Sequence, residues 1–206
     1  TQPAIVRSAA SLEAGTALFA KMVDGLTESV TDKLASLKAE YTIAFNMGGQ
    51  EISLGQTTNL VLPDKLHQTM KTPMGDQMIV LNGKEGFMSA GGQTQNLPAA
   101  MIEDQLEDLG RDLMVLVSAE GDPDLEAVAA GEDTVDGTPC KIVAVKFMGT
   151  ESRLCVVDDG TVIRQTYQGK HPMQQTPGMI EVLYSDYSDV SGHLIAQKHV
   201  MTFEGQ

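Results

Sequence analysis

Residues 60–88, LVLPDKLHQTMKTPMGDQMIVLNGKEGFM, indicate the fold class. Short segments with alternating apolar and polar residues are separated by turn signals at Pro63-Asp64, at residues 72–75 and at Asn82-Gly83. Alternation with a period of two is typical of a strand with one buried face, and an Asn-Gly pair favours a tight hairpin. The stretch therefore predicts an antiparallel meander with short connections.

Strand patterns continue on both sides of this meander. Upstream, residues 41–47 and 52–62 alternate in the same way. Downstream, the alternation predicts a hairpin with its turn near Thr150 and then three more strands, over residues 133–147, 153–158, 161–168, 179–187 and 194–203. The count is ten or eleven antiparallel strands in one sheet, and we predict an α+β fold.

Helical spacing occurs in two regions. Residues 11–26 predict a helix with Ser11 as its N-cap, and residues 30–37 predict a short second one. The strongest pattern runs from Asn96 to Val117, with an apolar stripe on one side and acidic residues on the other. Gly110 weakens the middle of this helix, which could flex there.

Composition and charge exclude several classes of function. The chain has 206 residues, with 14 Lys and Arg against 28 Asp and Glu, a net charge of −14. Nucleic-acid binding normally needs a basic face, so we exclude it. The apolar runs are far shorter than the roughly 20 residues of a membrane span.

Residues 1–10 show no periodicity and are interpreted as a linker or frayed terminus, and residues 11–206 as a single domain.

Motifs for catalysis or metal binding are missing from the sequence. The four histidines have no metal-ligand spacing, and no nucleophile elbow, Walker loop or dinucleotide-binding turn occurs. The acidic pairs are better explained by helix solvation and turns than by a carboxylate dyad or calcium. We therefore predict a protein that is not an enzyme and has no metal or cofactor.

Cys140 and Cys155 fall in the predicted hairpin. With a turn near Thr150 the two residues are staggered by about five positions, or roughly 17 Å along the strands. A disulfide needs Cα atoms within about 7 Å of each other. We expect two buried free thiols, and the redox compartment stays open.

The bias towards methionine suggests a binding function. Twelve Met occur, and Met is a flexible side chain that lines adaptable apolar surfaces. An open twisted sheet partly covered by helices leaves an apolar pocket between them. The predicted lining comes from the meander and from the middle helix: Met70, Met78, Met88, Ile102, Leu106, Leu109 and Leu113. The alternative is that these side chains only fill the core.

The order of these elements resembles the LolA/LolB-like lipoprotein-carrier family. The resemblance rests on residues 60–88, on TVDGTPCKIVAV (134–145), on VVDDGTVIRQ (156–165) and on EVLYSDYSDVSGHLIAQKHV (181–200). The segment PDKLHQTMKTPMG followed by NGKEGFM is more similar to the version appended to insulinase-type (pitrilysin) zinc peptidases of the bacterial envelope. The start at Thr1 would suit a fragment of a larger polypeptide or a chain without its signal peptide.

The resemblance implies an open half-barrel of about eleven strands with a helical lid, a periplasmic location and no catalysis. It also implies an apolar cavity for a lipid, a lipoprotein acyl chain or another hydrophobic ligand. The family's dedicated chaperones place an Arg from an early strand in that cavity, whereas no Arg lies between Arg7 and Arg111 here. Lys65 and Lys71 are the only early cations that could replace it.

Two other functions remain open from the sequence. One is an accessory domain of a larger envelope zinc peptidase, with a tightly packed sheet and no ligand of its own. The other is an enzyme that uses the same cavity, because a fold does not fix a function.

Overall fold

The structure is a computed structural model of the chain, and it describes residues 4–27, 34–47, 50–170 and 176–205. These residues form three helices: α1 (Ala9–Leu26), α2 (Ala99–Arg111) and α3 (Leu113–Ser118). They also form twelve strands: β1 (Ser36–Met47), β2 (Gln50–Val61), β3 (Lys65–Thr72), β4 (Gly75–Asn82), β5 (Glu85–Ala90), β6 (Gln93–Asn96), β7 (Glu126–Val135), β8 (Thr138–Phe147), β9 (Thr150–Val156), β10 (Val162–Lys170), β11 (Pro177–Val190) and β12 (His193–Phe203).

The strands form two antiparallel sheets of six strands each. The first sheet contains β1 to β6 and the second contains β7 to β12, and in both every strand pairs with its neighbours in sequence. The sequence predicts one sheet of ten or eleven strands, and this prediction is wrong in its count and in its continuity. The chain leaves the first sheet after β6 to form α2 and α3, and β7 pairs only with β8.

The chain divides into two compact units that follow these sheets. One unit comprises Thr1–Asp32 with Ala119–Gln206, and it contains α1 and the second sheet. The other comprises Lys33–Ser118, with the first sheet, α2 and α3.

The predicted long helix in the middle of the chain is interrupted at Asp112. This residue has extended backbone angles, with φ −64° and ψ 130°. Its Oδ1 accepts hydrogen bonds from the backbone N–H groups of Met114 (2.9 Å) and Val115 (3.1 Å). Asp112 therefore acts as the N-cap of α3. The apolar stripe continues across Asp112, so the sequence pattern did not indicate this break. Gly110, the predicted weak point, stays inside α2.

The amino-terminal helix begins earlier than the sequence predicts. Ser8 is its N-cap, and its Oγ accepts from the N–H of Ser11 at 3.1 Å. The Oγ of Ser11 in turn accepts from the N–H of Ser8 at 2.8 Å, which completes a capping box. Of the predicted short second helix, Leu37 lies in β1 instead, and Val30 lies outside the described residues.

Helix α1 packs directly onto strand β7 because Gly15 has no side chain. A Cβ atom at this position would lie 2.4 Å from Val128 Cα and 2.5 Å from the carbonyl oxygen of Ala127. Phe19, Met22 and Leu26 on the same helix are at most 3% exposed. Close approach of the two backbones thus buries the apolar side of α1.

We expect Gly15→Ala to lower the free energy of unfolding by about 1–3 kcal/mol, since backbone atoms of β7 would have to move. Gly55→Ala is the matched control, because the atom nearest to its added Cβ is Lys71 Cδ at 3.9 Å. Urea denaturation of both variants and the parent protein measures the difference. An unchanged midpoint for Gly15→Ala would contradict this packing.

A disulfide joins Cys140 to Cys155, with a Cα–Cα distance of 5.4 Å. The expectation of two free thiols is therefore wrong. The turn of the hairpin lies at Met148-Gly149, and Ile142 consequently faces Cys155 across the two strands. The stagger between the cysteines is two residues rather than five. Both turn residues have positive φ (48° and 83°), and the prediction placed the turn too late because Met rarely adopts such angles.

Candidate binding face of the first sheet

The register of the first sheet separates its residues into two faces. Residues opposite each other across a ladder share a face, and so do residues two apart in a strand. Leu60 pairs with Leu66, and Leu66 pairs with Leu81. The face that contains them, which we call the uncharged face, also carries Leu37, Ala39, Tyr41, Ile43, Phe45, Ile52, Leu54, Gln56, Thr58, Gln68, Met70, Gln77, Ile79, Gly86, Met88, Ala90, Gln93 and Gln95.

Every charged residue of β1 to β6 lies on the other side of the sheet, which we call the charged face. These residues are Lys38, Glu40, Glu51, Lys65, Lys71, Asp76 and Glu85. All seven are exposed. Two contacts agree with this assignment: Lys38 Nζ lies 3.3 Å from Glu40 Oε1, and the side chains of Asn59 and His67 lie 3.3 Å apart.

Burial on the uncharged face decreases from one end of the sheet to the other. Leu60, Leu66 and Leu81, beside the β2–β3 and β4–β5 turns, are between 1% and 6% exposed. Farther along the strands, apolar side chains such as Ile79 and Leu54 are only half-buried. The face therefore presents apolar surface that the protein does not fully cover.

Neutral polar groups are interspersed with this apolar surface. The side chains of Gln56 and Gln68 are half-buried, and those of Gln77 and Gln95 are exposed. Gln56 Nε2 donates a hydrogen bond to Thr58 Oγ1 at 3.2 Å. Amide side chains offer both donors and acceptors without a charge.

Helices α2 and α3 belong to the same unit as this sheet. Before α2, the N–H of Leu97 donates to the carbonyl oxygen of Gly86 in β5 at 2.9 Å. At the α2–α3 junction, Asp112 interacts electrostatically with Tyr41 in β1. Burial, and secondarily the negative charge of Asp112, raise the pKa of the Tyr41 hydroxyl. Helix α2 thus begins next to β5 and ends within electrostatic range of β1.

The last turn of α2 carries a buried arginine. Arg111 is 8% exposed and donates to Glu107 Oε2 at 2.7 Å and to Asp108 Oδ1 at 3.1 Å. These two carboxylates neutralise the guanidinium and attach it to its own helix.

The seven predicted lining residues do not all lie together. Met70 and Met88 lie on the uncharged face and are half-buried, whereas Met78 lies on the charged face. On α2, Leu109 is buried, and Ile102 and Leu106 are half-buried. Leu113 is buried too, but it belongs to α3, beyond the break.

The sequence contains the signal that separates Met78 from the other two methionines. A two-residue turn at Pro73-Met74 pairs Thr72 with Gly75, so even-numbered residues of β3 face odd-numbered residues of β4. Met70 and Met78, both even, must then lie on opposite faces. The same parity places Ile79 on the face of Met70, but Ile79 was not among the predicted lining residues.

Lys65 and Lys71 both lie on the charged face and are exposed. Neither can provide the cavity cation that the resemblance suggested. Within the described strands of the first sheet, the uncharged face has no basic side chain.

Two tyrosines of the second sheet hydrogen-bond to neighbouring protein groups. Tyr184 Oη donates to Gln165 Oε1 at 2.6 Å, and Gln165 Nε2 donates to Ser152 Oγ at 3.1 Å. Tyr187 Oη donates to the carbonyl oxygen of Val162 at 2.6 Å, and burial raises its pKa well above the usual value. In the described part of the chain, no group of three or more His, Cys, Asp or Glu side chains could hold a metal ion.

Comparisons with known proteins identify the fold. No family model and no curated protein sequence matches the chain. A LolA superfamily protein from Nitrosomonas europaea superposes on 92% of this chain and 86% of its own, with a TM-score of 0.57 and 10% identity. The fold is LolA-like.

Two further structures share the LolA-like fold with this chain. A DUF1329 family protein from Desulfovibrio piger has a TM-score of 0.60 at 12% identity. A putative outer membrane lipoprotein-sorting protein domain from Vibrio parahaemolyticus has a TM-score of 0.56 at 8% identity. Each comparison covers 94% of this chain and 86% of the other. None of the described helices is both long and apolar enough to cross a membrane.

Proposed function

We propose that this protein is a non-catalytic binding module of the bacterial periplasm that holds acyl chains of a lipid or lipoprotein on the uncharged face of its first sheet. The observation that carries the proposal is the segregation of charge. Seven charged residues lie on one side of the sheet and none on the other, although the uncharged face is only half-buried along much of its length. A half-buried apolar face is typical of a surface that receives a ligand.

We propose that α2 and α3 act as the lid over this face. The contact between Leu97 and Gly86 and the electrostatic interaction between Asp112 and Tyr41 support a path from the last strands of the sheet to its first. Ile102 and Leu106, at a spacing of four on α2, are half-buried and would complete the lining together with Leu109.

Two observations support a periplasmic location. Disulfides persist in oxidising compartments and are rare in the bacterial cytosol, and Cys140 is bonded to Cys155. The fold is shared with a putative outer membrane lipoprotein-sorting protein domain.

We propose further that residues 11–206 act as one LolA-like domain.

The test is native mass spectrometry of the protein exported to the periplasm of a bacterium, compared with a denaturing measurement on the same sample. We expect additional mass that is lost on denaturation and that varies in steps of CH₂. A clean apo mass, with no uptake of an added fluorescent acyl probe, would contradict the carrier function. That result would favour an accessory domain of an envelope zinc peptidase.

A further inference from the structure

We infer that the uncharged face selects acyl groups carried on neutral esters or amides, and rejects the same acyl groups on a carboxylate or phosphate. This inference rests on the proposed function and specifies the chemical class of its ligand. It concerns the polar end of the ligand, which must lie among the polar residues of the face or at its rim.

The electrostatics of the unit disfavour an anionic ligand. The strand residues of the uncharged face include no cation, and Lys65 and Lys71 project from the opposite side. Removing an anion from water without a countercharge is strongly unfavourable. A carboxylate or phosphate on this face would therefore lose its hydration without gaining an ion pair.

Helix α2 reinforces this discrimination. It carries four acidic residues, Glu103, Asp104, Glu107 and Asp108, and a single basic one, Arg111. The guanidinium of Arg111 already bonds to Glu107 and Asp108. The helix consequently adds a net negative charge to the unit, and like charges repel.

The amides of the uncharged face suit a neutral polar group. Gln56, Gln68 and Gln77 lie on neighbouring strands, next to Met70 and Ile79 in the register. Their N–H groups can donate to ester or amide carbonyl oxygens, while the methionine and isoleucine contact the chains. Amide donors satisfy a carbonyl without the desolvation cost of a charged partner.

Two sources could supply this chemistry. One is a free diacylglycerol, and the other is the diacylglyceryl group of a lipoprotein, whose esters are also neutral. The experiment therefore uses 1,2-dioctanoylglycerol, dioctanoyl phosphatidic acid and an uncharged dioctanoylglyceryl-cysteine amide peptide. All three carry the same acyl chains.

The measurement is displacement of the neutral dye Nile red from the purified full chain by each of the three compounds. We expect both neutral compounds to displace Nile red at concentrations at least about tenfold lower than phosphatidic acid requires. This ratio is equivalent to a difference of about 1.4 kcal/mol in binding free energy. A preference for the lipopeptide over dioctanoylglycerol would identify the lipoprotein as the source, and the reverse order would identify a free lipid. Equal competition by phosphatidic acid would overturn the inference while leaving the carrier function intact.

A charge placed on the uncharged face provides the second test. Gln56→Lys should improve competition by phosphatidic acid about tenfold, because it supplies the missing countercharge. Thr57→Lys is the matched control: the neighbouring residue in β2 is also half-buried but lies on the charged face, opposite Glu40. If Gln56→Lys does not fold by circular dichroism, Gln77→Lys, at an exposed position of the same face, replaces it.

The outcomes separate the two proposals. Equal effects of Gln56→Lys and Thr57→Lys on phosphatidic acid would contradict selection at the uncharged face. Failure of the parent protein to bind Nile red and all three compounds would instead contradict the carrier function.

Discussion

Replacing Met88 with aspartate is expected to weaken binding of an acyl probe by about tenfold or more, whereas Met78→Asp should change it by less than about twofold. Both side chains are half-buried and lie on adjacent strands of the same sheet. Met88 pairs with Ile79 on the uncharged face, and Met78 pairs with Thr69 on the charged face. A carboxylate next to bound methylene groups would lose its hydration, but one on the charged face would not.

The binding constant is obtained from Nile red fluorescence titrations of the parent protein and both variants. Circular dichroism and urea denaturation check that each variant is folded. Equal loss of affinity in the two variants would show that the face assignment does not govern binding. Unaltered affinity in Met88→Asp would show that the acyl probe does not bind at the uncharged face.

Replacing both cysteines with alanine is expected to lower the free energy of unfolding by about 3 kcal/mol, because the bond closes a loop of about 15 residues. Cys140 is 6% exposed and Cys155 is 2% exposed. Alanine therefore leaves no polar group unsatisfied at either buried site. The bond joins β8 to β9 near the middle of the second sheet.

Urea denaturation of the double variant and the parent protein measures this difference. Dithiothreitol provides the control, since it should destabilise the parent protein by a similar amount and leave the double variant unchanged. A decrease of less than about 1 kcal/mol in the free energy of unfolding of the variant would argue against a substantial stabilising role of the disulfide.

The meander of residues 60–88 was predictable because each of its turns carries its own chemical signal. Pro73-Met74 forms the turn between β3 and β4, and Asn82-Gly83 marks the end of β4, with Gly83 in the turn to β5. The helix after β6 was predictable from its apolar stripe. Its interruption was not, since Asp112 fits the acidic side of a continuous helix as well as it fits an N-cap.

The separation of Met78 from Met70 and Met88 and the error in the cysteine pairing have the same origin. Faces and partners across a ladder depend on the register, and a shift of the turn by one residue changes every pairing. The turn at Met148-Gly149 lies slightly before the predicted one, and this shift brings Cys140 to Cys155. In the meander the turn at Pro73-Met74 was recognised, but its consequence for Met78 was not.

The distribution of charge in the first sheet was also encoded in the sequence. Once the register is known, Lys38, Glu40 and the other charged strand residues fall on one side without exception. The individual strands are too short to establish this segregation statistically. It becomes evident only when the residues of all six strands are assigned together.

The most direct test of the uncharged face is ¹³C-methyl NMR of methionine-labelled protein during titration with 1,2-dioctanoylglycerol. The methyl signals of Met70 and Met88 should shift, and that of Met78 should not, because only the first two lie on the uncharged face. Met74, which is 87% exposed in the β3–β4 turn, serves as the solvent reference. Shifts at Met78 without shifts at Met70 and Met88, or no shift at any methyl, would contradict binding at the uncharged face.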